Sequence, residues 1–214
     1  MPEYKLPLSR KAHFFFQRII WKFTELKNLS YDAILGIETN RSLREVNHDH
    51  SLFQDMYGYQ ASAYGIIEKA LASIKLKPND VFIDFGCGKG RVVIWTGLHQ
   101  LKKVIGVEIN KGLSVMARNN LKRMRFRRSP IEIVNQDAAE FDPGEGTIFF
   151  FFNPFGAKTI SAILANIKNS LTTNPREIQI IYYSAVHREV FESQDWLVLK
   201  KQTKPTPCLI WSNK

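Results

Sequence analysis

Cysteine is scarce in this 214-residue chain. Cys87 and Cys208 lie far apart and form no CxxC pair, which argues against a zinc cluster or a disulfide framework and fits a reducing, cytoplasmic compartment. Long apolar runs are missing as well. The stretch from Phe14 to Trp21 is broken by Gln17 and Arg18 and does not read as a signal peptide. Ile148 to Phe152 falls far short of the ~20 residues that span a bilayer, so no transmembrane segment is expected. His13, His48, His50, His99 and His187 are scattered, without a His-Asp or Cys-His pair at a meaningful spacing, and no metal site is expected. Internal repeats and low-complexity tracts are absent.

Negative charge is the other shortage. Thirty basic residues face twenty acidic ones, for a net charge of +10. Residues 51–130 hold 14 basic and 5 acidic side chains and so carry +9 of it. Arg118, Lys122, Arg123, Arg125, Arg127 and Arg128 concentrate that excess. Such a patch is either a solvated helix end or an attractor for nucleic acid, anionic lipid or an acidic protein.

What is present is ordinary globular material, 44% hydrophobic and 23% charged, enough to bury a core. Phe16, Ile19, Ile20, Phe23 and Leu26 recur at spacings of three and four, the stripe of an amphipathic helix over residues 13–27. With Arg18 and Lys22 beside it, that stripe permits membrane-surface contact. The favoured expectation is packing on the rest of the chain or on a second subunit. Residues 28–58 show weak periodicity and read as an irregular or short-helical connector, closing an N-terminal extension over residues 1–58.

From Ser62 the pattern alternates. A helix through Ile66, Ile67, Ala70, Leu71 and Ile74 ends at a Lys77-Pro78-Asn79-Asp80 turn. Strands follow at Val81–Phe85, Lys103–Glu108, Ile131–Val134, Thr147–Phe152 and Ile178–Tyr183, with helices between them. Trp196–Lys200 and Cys208–Trp211 are spaced like a hairpin. The expectation is an α/β fold: a doubly wound, mainly parallel seven-stranded sheet with a C-terminal antiparallel hairpin, occupying residues 59–214.

Asp84-Phe85-Gly86-Cys87-Gly88-Lys89-Gly90-Arg91 is the most informative stretch. It joins a strand to a helix, and its glycines permit positive φ and close approach of a ligand to backbone. A nucleotide P-loop would need Ser or Thr after Gly88-Lys89. A dinucleotide turn would read GxGxxG, where this one reads GxGxG. Asp84 two residues before Gly86, followed by that tight turn, resembles class I S-adenosylmethionine-dependent methyltransferases. Glu108 ends the next strand, where an acid can accept both ribose hydroxyls. Asp137 follows the third strand. The resemblance implies S-adenosylmethionine as cofactor, held by Tyr59, Asp84, Gly86, Cys87, Gly88, Gly90, Glu108 and Asp137, with Asp137 facing the adenine amino group.

Asn153-Pro154-Phe155-Gly156 follows the fourth strand, which in that family borders the transferable methyl group. The segment resembles the Asn-Pro-Pro-Tyr/Phe of base- and glutamine-methylating enzymes, with one proline missing. It also resembles the corresponding segment of non-SET histone-lysine methyltransferases of the telomeric-silencing-disruptor type, and Tyr57-Gly58-Tyr59 resembles their upstream aromatic-glycine segment. Uncharacterised bacterial methyltransferase-like proteins carry a bare Asn-Pro-Phe. The resemblance implies catalytic roles for Asn153 and Phe155, with Tyr59 and Tyr183 as further walls of an acceptor channel.

The expected activity is N-methylation of a protein side-chain amine. Base methylation guided by the basic 118–128 segment is the alternative, provided that segment lies on the cleft side. A non-catalytic cofactor-binding or membrane-peripheral module is the other.

Overall fold

The computed structural model describes residues 8–40, 61–152, 155–203 and 208–214, and for residues 8–17 the backbone alone. Among the described residues seven strands form one sheet: β1 (Val81–Phe85), β2 (Lys103–Val107), β3 (Ile131–Val134), β4 (Ile148–Phe152), β5 (Gln179–Tyr183), β6 (Leu197–Gln202) and β7 (Cys208–Asn213). Their order is β3-β2-β1-β4-β5-β7-β6. The first five are parallel, and β7 runs antiparallel between β5 and β6. The doubly wound sheet with its terminal hairpin is the one the sequence implied.

The apolar content of β1 and β4, broken only by Asp84, follows from burial on both faces. Phe82 and Phe150 point into one core, beneath α2 (Tyr64–Leu71), α3 (Arg91–Thr96) and α4 (Lys111–Arg123). Ile83, Phe85, Phe149 and Phe151 point into the other, beneath α5 (Ala157–Thr173) and α6 (Arg188–Glu192). Each fully buried phenylalanine contributes roughly 1.5–3 kcal/mol over an exposed one. Crossovers leave β1 and β4 in opposite directions, so a crevice opens between them at the carboxyl ends of the strands.

Residues 28–35 are not a connector. α1 runs unbroken from Leu8 to Leu35. Its inward residues are Asn28, Tyr31, Asp32 and Leu35, at helical spacing but mostly polar. An aliphatic periodicity has nothing to register there. The Asn28 side chain accepts the Tyr64 amide at 3.1 Å at the start of α2, and Tyr31 stacks on Trp95 with ring centres 5.0 Å apart. The upstream stripe does not pack on the sheet domain either. Ile20, Phe23 and Leu26 are 65%, 69% and 62% exposed. The boundary expected at residue 58 falls outside the described residues.

Candidate cofactor and active site

Asp84 is the fourth residue of β1, paired across the sheet with Gly106 of β2. It is 3% exposed, and its Oδ2 has no hydrogen-bond partner. Burial pushes its carboxyl well above the usual range, and the nearby Glu108 carboxyl pushes it further. A buried carboxyl left in this state opposes folding unless something else claims it.

Beyond Asp84 the chain turns back over β2. The amides of Gly86 and Cys87 both donate to the Val107 carbonyl, at 2.9 and 3.0 Å. Gly86, Gly88 and Gly90 take φ values of 78°, 55° and 87°, a left-handed run that disfavours any side chain. Gly106 provides the room for this fold-back: a Cβ there would sit 2.7 Å from Cys87 Sγ.

Glu108 locks the turn from the neighbouring strand. Its Oε2 accepts the Gly88 amide and its Oε1 the Asn110 amide, both at 2.8 Å. Burial raises its carboxyl, while those two amides pull it back down. Each oxygen keeps a second lone pair, so the carboxylate can still receive a diol. Asn135, beyond β3, donates to the Glu108 and Ile109 carbonyls at 2.8 and 2.9 Å and so fixes the strand end that carries the acid. Asp137 is half-buried, and its Oδ1 accepts the Ala139 amide at 2.8 Å, an Asx turn at the carboxyl end of β3. Asp84, near the end of β1, and Glu108 and Asp137, just beyond β2 and β3, therefore lie at the carboxyl ends of three adjacent strands along one edge of the sheet.

Of the other expected residues, Asn153 and Tyr59 lie outside the described ones. Phe155 is 3% exposed within the apolar layer beneath α5. It belongs to the same buried cluster as Phe149 and Phe151 of β4 and Ile160 of α5. The half-buried rings at the carboxyl ends of β4 and β5 are instead Phe152 and Tyr183, stacked at 5.2 Å.

A second buried network abuts the glycine turn, and sequence reasoning missed it. Arg91, the residue after Gly90, sits over the Tyr64 ring with Cζ 4.9 Å from its centre. Its guanidinium donates to the Thr39 hydroxyl, the Ser62 carbonyl and Asp32 Oδ2. Asp32 also accepts the Thr39 amide at 2.7 Å and the Tyr64 hydroxyl at 2.6 Å. Asn120 of α4 adds a clasp, donating to the Glu38 and Lys89 carbonyls. α1 is thus tied to the first residue beyond the glycine turn. The available signal was three polar residues at helical spacing, Asn28, Tyr31 and Asp32, followed by Leu35.

The basic 118–128 segment is divided: Arg118 of α4 donates to the Ile133 carbonyl of β3 at 3.0 Å, whereas the loop at its end lies elsewhere. Arg128 and Ser129 donate their amides to the Gly97 carbonyl at the end of α3, and the Val104 amide donates to the Pro130 carbonyl at the start of β2. The arginine loop therefore lies at the amino-terminal edge of the sheet, a strand length of roughly 17 Å from the crevice.

Residues 39–135 match the protein family described as Histone methylation protein DOT1. Over 106 residues the chain is 34% identical to the Histone-lysine N-methyltransferase, H3 lysine-79 specific, of Dictyostelium discoideum, covering 44% of this chain and 6% of that protein's length. A solved RNA methyltransferase from Salinibacter ruber, in complex with S-adenosyl-L-homocysteine, superposes with a TM-score of 0.55 at 18% identity, over 72% of this chain and 94% of that one. A magnesium protoporphyrin IX methyltransferase from Synechocystis, with bound S-adenosylmethionine, gives 0.52 at 14% identity, over 70% and 76%. The chain has the class I methyltransferase fold, and its first βα units resemble the DOT1 family.

Proposed function

We propose that the protein is an S-adenosylmethionine-dependent methyltransferase acting on a side-chain amine of a protein. The observation that carries the cofactor is the partnerless, buried Asp84 carboxyl beside a left-handed glycine turn that Glu108 clamps. S-adenosylmethionine fits that chemistry, because it brings cationic groups for an unclaimed carboxyl and a ribose diol for the free lone pairs of Glu108. Bound there, it supplies an electrophilic methyl group.

The chain's own residues then have three tasks. Gly86, Gly88 and Gly90 present backbone without Cβ atoms. Glu108 and Asp137 hold the nucleoside. Phe152 and Tyr183 close the carboxyl edge against water, which favours the neutral, nucleophilic form of an incoming amine. Methyl transfer needs nucleophile and carbon in line, and positioning of this kind supplies up to ~7–11 kcal/mol in ideal cases. Asn153, after β4, is the proposed acceptor for the amine's hydrogen bond.

Protein rather than nucleic acid is supported by the match to a histone methylation family and to a histone-lysine methyltransferase. The arginine loop adds support by its position, since it faces away from the crevice. The test incubates the full chain with a radiolabelled methyl donor and whole-cell lysate. Label that survives nuclease and is lost to protease is expected, and label lost to nuclease overturns the protein acceptor. Calorimetry with S-adenosylhomocysteine tests the cofactor separately: Glu108→Gln should bind on the order of tenfold more weakly.

A further inference from the structure

α1 is mounted with its polar face inward. Asn28 and Asp32 are buried against the domain, while the opposite face carries Ile19, Phe23, Leu26 and Ile34 at helical spacing. Ile34 is more than half exposed, as Phe23 and Leu26 are. Exposed Arg18 and Lys22 border this face on one side. Lys27 borders it on the other, 2.9 Å from Glu68 of α2.

At the end of α1 the surface continues onto the arginine loop. The Arg125 amide donates to the Leu35 carbonyl at 3.0 Å. Phe126 is 70% exposed, its backbone in the left-handed region at φ 64°. With Ile34, Tyr31, Trp95, Leu98 and Arg128 it surrounds a hollow of about 370 Å³. Arg125, Arg127 and Arg128 are exposed, and no carboxylate among the described residues pairs with them.

We propose that this surface docks on an anionic membrane. α1 lies in the interface with Phe23, Leu26 and Ile34 among the acyl chains, Phe126 beside them, and Arg125, Arg127 and Arg128 on headgroup phosphates. Charge and apolarity together select this occupant. Nucleic acid offers phosphates but no apolar medium for a helix face of isoleucine, phenylalanine and leucine. A second copy meeting the same surface brings arginines against arginines. No helix among the described residues is long and apolar enough to cross a membrane, so the contact is peripheral.

The experiment floats the full chain with vesicles of equal parts phosphatidylglycerol and phosphatidylcholine, and with phosphatidylcholine alone. Binding to the first and not the second is expected. The triple variant Arg125→Ala, Arg127→Ala, Arg128→Ala should lose roughly fivefold per arginine. Phe23→Ser with Leu26→Ser should lose at least about tenfold. Circular dichroism melting checks that each variant is folded, and the single exposed change Arg127→Glu provides the same test should a multiple variant unfold. Absence of flotation on anionic vesicles overturns the proposal, as does flotation indifferent to both variant sets. Duplex RNA binding that needs only the arginines would assign the loop to nucleic acid, and a dimer dissolved by Phe23→Ser with Leu26→Ser would assign the helix to a second copy. Either result also overturns it.

Discussion

Asp32 and Asp84 are both withdrawn from water, and their surroundings are opposite. Asp32 has a guanidinium, a phenol, a hydroxyl and an amide around it, all supplied by the chain itself. Asp84 has an oxygen with nothing, and the neighbouring charge that acts on it is another acid, Glu108. The first carboxylate is part of what holds the fold together. The second is held by the fold at a cost, which is the signature of a group kept for a ligand. Burial alone does not separate the two roles, whereas the origin of the compensating partners does.

Breaking this contrast should produce effects of opposite sign. Asp32→Ala leaves Arg91 buried without its counter-charge, so urea denaturation should show a loss of ~3–5 kcal/mol. Adding Arg91→Leu should recover part of that loss. Asp84→Asn removes an unpaired carboxyl, so the ligand-free protein should be at least as stable as the parent. Its affinity for S-adenosylmethionine should nonetheless fall about ten- to a hundredfold, measured by calorimetry. A destabilised Asp84→Asn protein would mean that the chain itself depends on that carboxyl, and the contrast would fail.

Gly106→Ala probes the same turn without touching a charge. Its Cβ would collide with Cys87 Sγ, costing ~1–3 kcal/mol in overpacking and displacing the glycine turn. Cofactor affinity should drop while the Asp32 network stays intact.

The smallest effect is in pH. The folded-state pKa of Asp84 lies above its unfolded value, so its contribution to stability is complete below the ordinary carboxylate range. That contribution disappears as pH rises through the raised value. A cationic ligand prefers the ionised form, so affinity should climb over the same window, by at most about tenfold per pH unit for one proton. Calorimetry from the ordinary carboxylate range upward checks the slope, and Asp84→Asn should flatten it.

The parts legible in the sequence were those whose signal is local. Strand, Asp84, GxGxG and helix lie within a dozen residues, and Glu108 and Asp137 each follow an apolar strand. The end of α1 was illegible for a physical reason: its inward residues, Asn28 and Asp32, satisfy one another's surroundings through partners some 30 to 60 positions away, such as Tyr64 and Arg91. Hydrophobic periodicity cannot report a polar interface. The burial of Phe155 was illegible for a different reason, since its place in the Asn-Pro-Phe motif does not report which core layer the side chain enters. The arginine loop could have been placed from sequence, because a segment that precedes a parallel strand must lie at the edge opposite the crevice.

β6 is encoded before β7 but lies outside it, so the sheet cannot be completed in the order the ribosome delivers it. β6 must wait without a neighbour, and the flank of β5 stays unpaired, until the later strand slips between them. During synthesis the five parallel strands form a platform with an open, adhesive border, and a nascent chain of this kind is vulnerable to misassembly in that interval.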